Sequence, residues 1–241
     1  MLLNTDWTFL SARGQENSRP GVPSNHTSRA QFKNYTLNRW SDNIKALPSI
    51  MLVIGIAMLQ GSRHEHMESI RKASEDLDTE IEIRELRKST DVNGIHGVIL
   101  PGGESTAMKI AARSEDLYVE LWKYIASKQI PVLGTCAGAI LLSQKSLIST
   151  KIRRNAFGRQ INSFESELSI DFEDHDRFHG VFIRAPRFDG KAVNPIAWLD
   201  DEVVGISENN IIALTFHPEL TDNLLFHRWL ISSAKHNLDS K

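Results

Sequence analysis

Three residues of this 241-residue chain could carry out covalent chemistry on a carbonyl: Cys136, the single cysteine, His217, and Glu219 two positions further on. Cys136 stands in Val132-Leu133-Gly134-Thr135-Cys136-Ala137-Gly138-Ala139-Ile140-Leu141-Leu142, where a short apolar run meets a glycine and resumes with helical spacing. That pattern describes a nucleophile on a sharp strand-to-helix turn. A thiol there sits beside the first free N–H groups of the helix, whose partial positive charge favours thiolate. The small neighbours Gly134, Ala137 and Gly138 let a substrate carbonyl approach backbone donors. A cysteine on its own more often behaves as a small buried hydrophobe, so the remaining residues must carry the argument. His217 closes the apolar run Ile211-Ile212-Ala213-Leu214-Thr215-Phe216, which puts it at a strand's end. Residues two apart on an extended segment point the same way. Glu219 could therefore orient the imidazole while the other ring nitrogen faces Cys136, giving a nucleophile, a base and an orienter.

Such side chains need strands that end together at one edge of a sheet. Residues 51–58 are a near-continuous apolar strand, as expected where both faces of a parallel sheet are covered. A polar helix pattern follows with Met67, Ile70, Ala73 and Ser74 on one side, then an alternating strand at 81–84. Residues 95–100 form a strand running into Pro101-Gly102-Gly103-Glu104-Ser105-Thr106, a Gly-rich turn leading to a helix capped by Ser105 or Thr106. A helix at about 115–127 presents Leu117, Leu121, Tyr124 and Ile125 as a core stripe, and Pro131 opens the strand to Cys136. This order predicts a doubly wound, mostly parallel α/β sheet flanked by helices, with ligands beyond the carboxyl ends of its strands. The Gly102-Gly103 loop and Cys136 then share an edge. Gly103 and Ala137 could each aim an N–H at a developing oxyanion.

Further along, residues 171–180 read as a polar hairpin loop, 181–183 as a strand, and 206–216 as a hairpin turning at Glu208-Asn209-Asn210. The last helix is expected over about 222–235, with Thr221 as its cap. Two histidine groups imitate metal sites. His64-Glu65-His66 reads as a loop or helix start carrying solvated histidines, and His175, Asp176 and His179 as surface-loop residues, so no metal is expected. His227 reads as a packed or solvated helix residue. Arg153, Arg154 and Arg159, taken by themselves, read as a solvated basic face.

Composition is that of a globular chain with one large domain: 41% hydrophobic, 24% charged. A formal charge of −2 offers no electrostatic footprint for nucleic acid. One cysteine cannot form an internal disulfide, which suits a reducing, cytoplasmic compartment. The longest early apolar run, residues 50–59, is too short to span a membrane. Residues 1–48 are rich in Ser, Asn, Arg and Pro without sustained periodicity, and read as a mostly disordered extension ahead of a domain at 49–238. They lack the features of a secretory signal; a mis-assigned start, a targeting arm and a docking arm all stay open.

Several segments together resemble a known family. These are Leu59-Gln60-Gly61, residues 100–106, Gly134-Thr135-Cys136-Ala137-Gly138, Arg154-Asn155-Ala156-Phe157-Gly158-Arg159-Gln160, Val181-Phe182-Ile183-Arg184-Ala185-Pro186 and Phe216-His217-Pro218-Glu219-Leu220-Thr221. They resemble the class I glutamine amidotransferases and, more narrowly, the family of glutaminase subunits of two-subunit pyridoxal 5′-phosphate synthases. The resemblance covers residues 51–235 and implies a single flavodoxin-like domain. It implies hydrolysis of L-glutamine to glutamate and ammonia by a Cys136-His217-Glu219 triad, without metal or organic cofactor. It places glutamine against Gly103, Glu104, Ser105, Arg154, Ile183 and Arg184, with Glu104 on the amino group and the Arg154 guanidinium on the α-carboxylate. Ammonia would pass to a separate barrel subunit that builds pyridoxal phosphate, within a hetero-oligomer. The chain departs from the family at residues 143–153, where the connection is shorter than usual. A glutaminase serving another synthase, and an inactive interaction module on the same fold, remain as alternatives.

Overall fold

The first strand shows why this chain needs a layer on each side of its sheet. All six residues of β1 (Leu52–Ala57) are buried. Leu52, Ile54 and Ile56 enter one core, and Val53 and Ala57 enter the other. Alternate side chains point to opposite faces, so an apolar run without polar breaks demands cover on both. The computed structural model describes residues 51–57, 61–103, 116–154 and 163–240. The expectations for the extension 1–48, the helix start at Ser105 or Thr106, and the segment 155–160 lie outside the described residues.

Helix α1 (Arg63–Asp76) follows β1 and lies against α4 (Leu225–Asp239). Ile70 and Ala73 of α1 join Leu230, Ile231 and Ala234 of α4 in the core on one face of the sheet. On the other face α2 (Leu117–Lys128) and α3 (Ala137–Gln144) contribute Leu117, Leu121, Ile125, Leu141 and Leu142. Burying each such side chain contributes about 1.5–3 kcal/mol relative to exposure. The remaining strands are β2 (Ile81–Leu86), β3 (Gly97–Leu100), β4 (Val132–Thr135), β5 (Lys151–Arg153), β6 (Ser163–Phe172), β7 (His175–Ile183), β8 (Arg187–Asp189), β9 (Pro195–Leu199), β10 (Glu202–Glu208) and β11 (Ile211–Leu214). The main sheet runs β2-β1-β3-β4-β11-β10-β9-β6-β7, with β5 and β8 paired separately. From β2 to β11 every pairing is parallel. From β11 outward through β10, β9, β6 and β7 every pairing is antiparallel. The doubly wound α/β reading therefore holds, and a four-strand antiparallel extension is added to it.

Two local expectations are corrected. Residues 171–180 are not a loop: β6 and β7 form a long hairpin whose turn is only Glu173-Asp174, both at positive φ (53° and 59°). Two residues at positive φ match the twist of the flanking strands. Phe178, Gly180 and Phe182 face the core while Arg177 and His179 face water, an alternation that the charged outer residues mask. His179 Nε2 lies 2.9 Å from Glu165 Oε2, and the His175 Nδ1–H donates to the Glu173 carbonyl at 2.7 Å. Among the described residues no group of three or more His, Cys, Asp or Glu is placed to hold a metal. The last helix starts at Leu225 rather than near residue 222, and the side chain that serves its start is Asn223, whose Oδ1 accepts from the Leu225 N–H at 2.9 Å. Thr221 Oγ1 instead donates to the Pro218 carbonyl.

Helix α3 meets β3 with no space between them. A Cβ added to Gly138 would stand 1.9 Å from the Leu100 carbonyl oxygen and 2.7 Å from its carbon, both backbone atoms. Gly138→Ala is therefore expected to cost about 3 kcal/mol as the helix is forced outward, read as a fall of several degrees in a thermal melt.

Candidate active site

Three adjacent parallel strands, β3, β4 and β11, end in step: Leu100 pairs with Gly134, and Leu214 with Thr135. Just past their ends come Gly102, Cys136 and His217. The Cys136 N–H donates to the Leu214 carbonyl at 2.8 Å, so the nucleophile turn is tied to the histidine-bearing strand. Cys136 has φ 45° and ψ −102°, and the helix begins at the next residue. A non-glycine residue there stores strain of about 1–3 kcal/mol, which the surrounding packing must hold in place. The side chain is nearly buried, with Sγ 3.8 Å from the Ile183 carbonyl oxygen. Ala137 opens α3, so its N–H is among those without an intrahelical acceptor.

His217 is anchored from behind and from the side. Phe216 packs on Phe178, Phe182 and Phe226 at centroid separations of 5.5, 5.8 and 6.0 Å, pairs that contribute about 0.5–1.5 kcal/mol each beyond area burial. The His217 backbone N–H donates to the Val181 carbonyl at 2.8 Å, fixing the end of β11 to β7. Its Nδ1–H donates to Glu219 Oε1 at 2.7 Å. Nε2 is buried, and among the described residues nothing meets it in full hydrogen-bond geometry, Cys136 being the side chain that acts on the ring from outside the Glu219 pair. Burial disfavours the imidazolium, but the neighbouring Cys136 and Glu219 side chains overcome this and push His217 up to about 10. Burial likewise works against the Glu219 carboxylate, yet His66, His217 and Ser62 hold it down to about 2. The pair is thus an imidazolium and a carboxylate at neutral pH.

Gly102 lies directly against this arrangement. A Cβ there would be 2.3 Å from His217 Cε1, 3.0 Å from its Nδ1 and 3.3 Å from Cys136 Cβ. Gly103 follows it, exposed. Ile183 ends β7 with its carbonyl near the Cys136 sulfur, and Arg184 follows it at φ 45°, both exposed. Arg154 is exposed at the end of β5, whose ladder sets Arg153 opposite Arg187, three residues from Arg184. Glu104 and Ser105 lie outside the described residues.

Sequence reasoning missed what stands behind Glu219. His66, expected to be solvated, is fully buried, as are Thr135 and His227. His66 Nε2 lies 3.2 Å from Glu219 Oε2 and 3.1 Å from Thr135 Oγ1, and its Nδ1 lies 2.9 Å from His227 Nε2. The Ser62 hydroxyl donates a short bond to Glu219 Oε1. A signal was present: His66, Ile70 and Ala73 recur at helical spacing, so His66 falls on the buried stripe of α1.

This cluster makes the fold acid-sensitive. Burial lowers His66 despite the attraction of Glu219, and burial together with His66 lowers His227 to about 3. Unfolded histidines take up protons as pH falls below 6.5, whereas folded His66 and His227 take them up only at lower pH, at about 3 for His227, so stability declines as pH falls below 6.5. The limiting slope is about 1.4 kcal/mol per pH unit for each histidine. His217 supplies the opposite limb, since the stabilisation from its raised pKa is full below 6.5 and lost as pH rises through about 10, whereas that from depressed Glu219 is also lost on acidification, as pH falls through about 2. The midpoint of urea unfolding is expected to be lower at pH 5 than at pH 7. An unchanged midpoint would mean that the buried histidines do not titrate on unfolding.

The buried His–Glu pair thus lies beside a thiol on a strained turn, at the carboxyl edge of a doubly wound sheet, and the fold is that of the class I glutamine amidotransferases. A crystal structure of a glutamine amidotransferase superposes with TM-score 0.65 at 36% identity, covering 76% of this chain and 98% of that one. The chain belongs to the SNO glutamine amidotransferase family, whose model matches residues 56–236. It is similar to the pyridoxal 5′-phosphate synthase subunit PdxT of Thermococcus onnurineus (strain NA1), 41% identical over 198 residues, covering 76% of this chain and all of the relative. The PdxT of Pyrococcus furiosus is 40% identical over 195 residues, covering 75% of this chain and 98% of the relative.

Proposed function

We propose that this glutamine amidotransferase is the glutaminase subunit of a cytoplasmic pyridoxal 5′-phosphate synthase and that Cys136, His217 and Glu219 carry its reaction. The Cys136 sulfur attacks the carboxamide carbon of L-glutamine, and the oxyanion lies between N–H groups at Gly103 and Ala137. The His217 imidazolium gives its Nε2 proton to the departing ammonia, leaving a thioester on Cys136. His217, now neutral, takes a proton from water as the water attacks the thioester, and glutamate leaves as the sulfur is released and the His217 imidazolium is restored. Glu219 keeps the His217 proton at Nδ1 so that Nε2 is the working nitrogen. Glu104, Ser105, Arg154, Ile183 and Arg184 seat the substrate, with Arg154 paired to its α-carboxylate. No step requires a metal or organic cofactor. The ammonia passes to a barrel synthase subunit bound to this chain.

The observation that carries this reading is the buried His217–Glu219 pair, with Cys136 as the other group that favours the charged ring. Ammonia release from glutamine, measured for the chain alone and with a pyridoxal 5′-phosphate synthase barrel subunit, tests it. Release is expected to rise at least severalfold with the partner. Release indifferent to the partner would reject the pathway, and no release in either case would reject the activity.

A further inference from the structure

The proposed reaction uses one face of Glu219 and leaves the other surrounded by polar side chains that it does not explain. Ser62 and His66, both from the start of α1, reach the two carboxylate oxygens: the Ser62 hydroxyl donates to Oε1, and His66 Nε2 lies 3.2 Å from Oε2. Behind them are Thr135 and His227, fully buried like His66.

The proton positions in this cluster can be worked out. His66 Nε2 is in hydrogen-bond geometry with Thr135 Oγ1 at 3.1 Å and lies 3.2 Å from Glu219 Oε2, which no described donor reaches in hydrogen-bond geometry. A bare nitrogen so near an ionised carboxylate would set lone pair against negative charge, so Nε2 carries the hydrogen, bonded to Thr135 and attracting Oε2 electrostatically. Neutral His66 then has a bare Nδ1, which accepts from the Nε2–H of His227 at 2.9 Å. This leaves Nδ1 of neutral His227 bare, in agreement with its burial without a partner among the described residues. A bare acceptor is the state a nitrogen without a donor should have. The groups facing His66 are Glu65 from its own helix, His217 and Glu219 beyond β11, and His227 from α4.

We infer that Ser62 and His66 are positioning residues that clamp the Glu219 carboxylate opposite His217, and that His227 sets the tautomer in which His66 can do so. The inference rests on the reading of His217 as the acid and base of the reaction. Neither clamp residue touches substrate. Each acts by holding the carboxylate where the Nδ1–H of His217 needs it, so loss of the clamp weakens the preference for imidazolium.

The test uses the full chain with a pyridoxal 5′-phosphate synthase barrel subunit, following glutamine hydrolysis across pH for His66→Leu, His66→Gln and Ser62→Ala. In His66→Leu, kcat is expected to fall about 10²-fold with KM unchanged. The basic limb of kcat/KM, which reports loss of the His217 proton, moves to lower pH. His66→Gln, whose side-chain amide can place a donor near the Nε2 position, restores most of the rate and the limb. Ser62→Ala, at a half-buried position, shifts the limb in the same direction and covers the case in which His66→Leu does not fold. A folded His66→Leu with wild-type kcat and limb would overturn the inference. So would equal impairment by Leu and Gln with the limb unmoved, or a Ser62→Ala limb unmoved. A wild-type complex that releases no ammonia would instead reject the underlying function.

Discussion

Cys136→Ala is expected to abolish ammonia release from glutamine, with or without a synthase subunit, while leaving the fold in place. Removing the nucleophile of a triad costs on the order of 10⁶-fold in kcat in a serine protease, because the partner residues cannot work without it. The fold should survive because little of the local structure depends on the sulfur. Its described interactions are the weak approach to the Ile183 carbonyl at 3.8 Å and that with the His217 ring, whereas the turn itself is held by the backbone bond from Cys136 to Leu214 at 2.8 Å. Alanine meets the same unfavourable φ of 45° as cysteine, so strain does not change sharply. His217 should respond as well. With one of the two groups that favour its protonated form removed, its pKa moves down from about 10, although Glu219 still opposes the burial cost. Rate and ring titration can be measured on one sample, by ammonia assay and by the NMR shift of the His217 ring against pH. Turnover that persists in a folded Cys136→Ala chain would exclude Cys136 as the nucleophile.

How much of this was legible in advance depended on whether burial was written in apolar letters. The buried strands β1, β4 and β11 and the stripe of α2 are apolar at the spacing their geometry requires, and all four are found where that spacing puts them. The His217–Glu219 contact follows from the same logic, since two positions on an extended segment face one way. The β6–β7 hairpin was hidden because every second residue of its outer face is polar or charged, so its average character resembles a loop. His66 was hidden for a different reason. A buried polar side chain needs partners, and those of this cluster lie far away in sequence: 157 residues separate Ser62 from Glu219, and 161 separate His66 from His227. Helical spacing could mark His66 as inward-facing, but only the fold could supply what it bonds.

Gly102→Ala is expected to separate the position of His217 from the stability of the fold. The added methyl would fall 2.3 Å from His217 Cε1, closer than any real contact, and 3.3 Å from Cys136 Cβ. Either the loop or the imidazole has to move. The loop is blocked on its far side, because the Cβ direction of Gly61 leads to the Gly102 carbonyl oxygen within 1.7 Å, so the backbones of residues 61 and 102 are already in close contact. The imidazole has more freedom, since among the described residues its Nδ1–H bond to Glu219, its interaction with Cys136 and the packing of Phe216 behind it are side-chain contacts that can adjust to a ring displacement. A ring moved by about 1 Å loses alignment with the sulfur, and misplacement of that size costs about 10²-fold in rate. The expected result is a chain that melts within a few degrees of wild type and binds the synthase subunit, but hydrolyses glutamine about 10²-fold more slowly. Wild-type kcat in Gly102→Ala would show that the loop yields instead, and that the glycine is not what holds the space between Cys136 and His217 open.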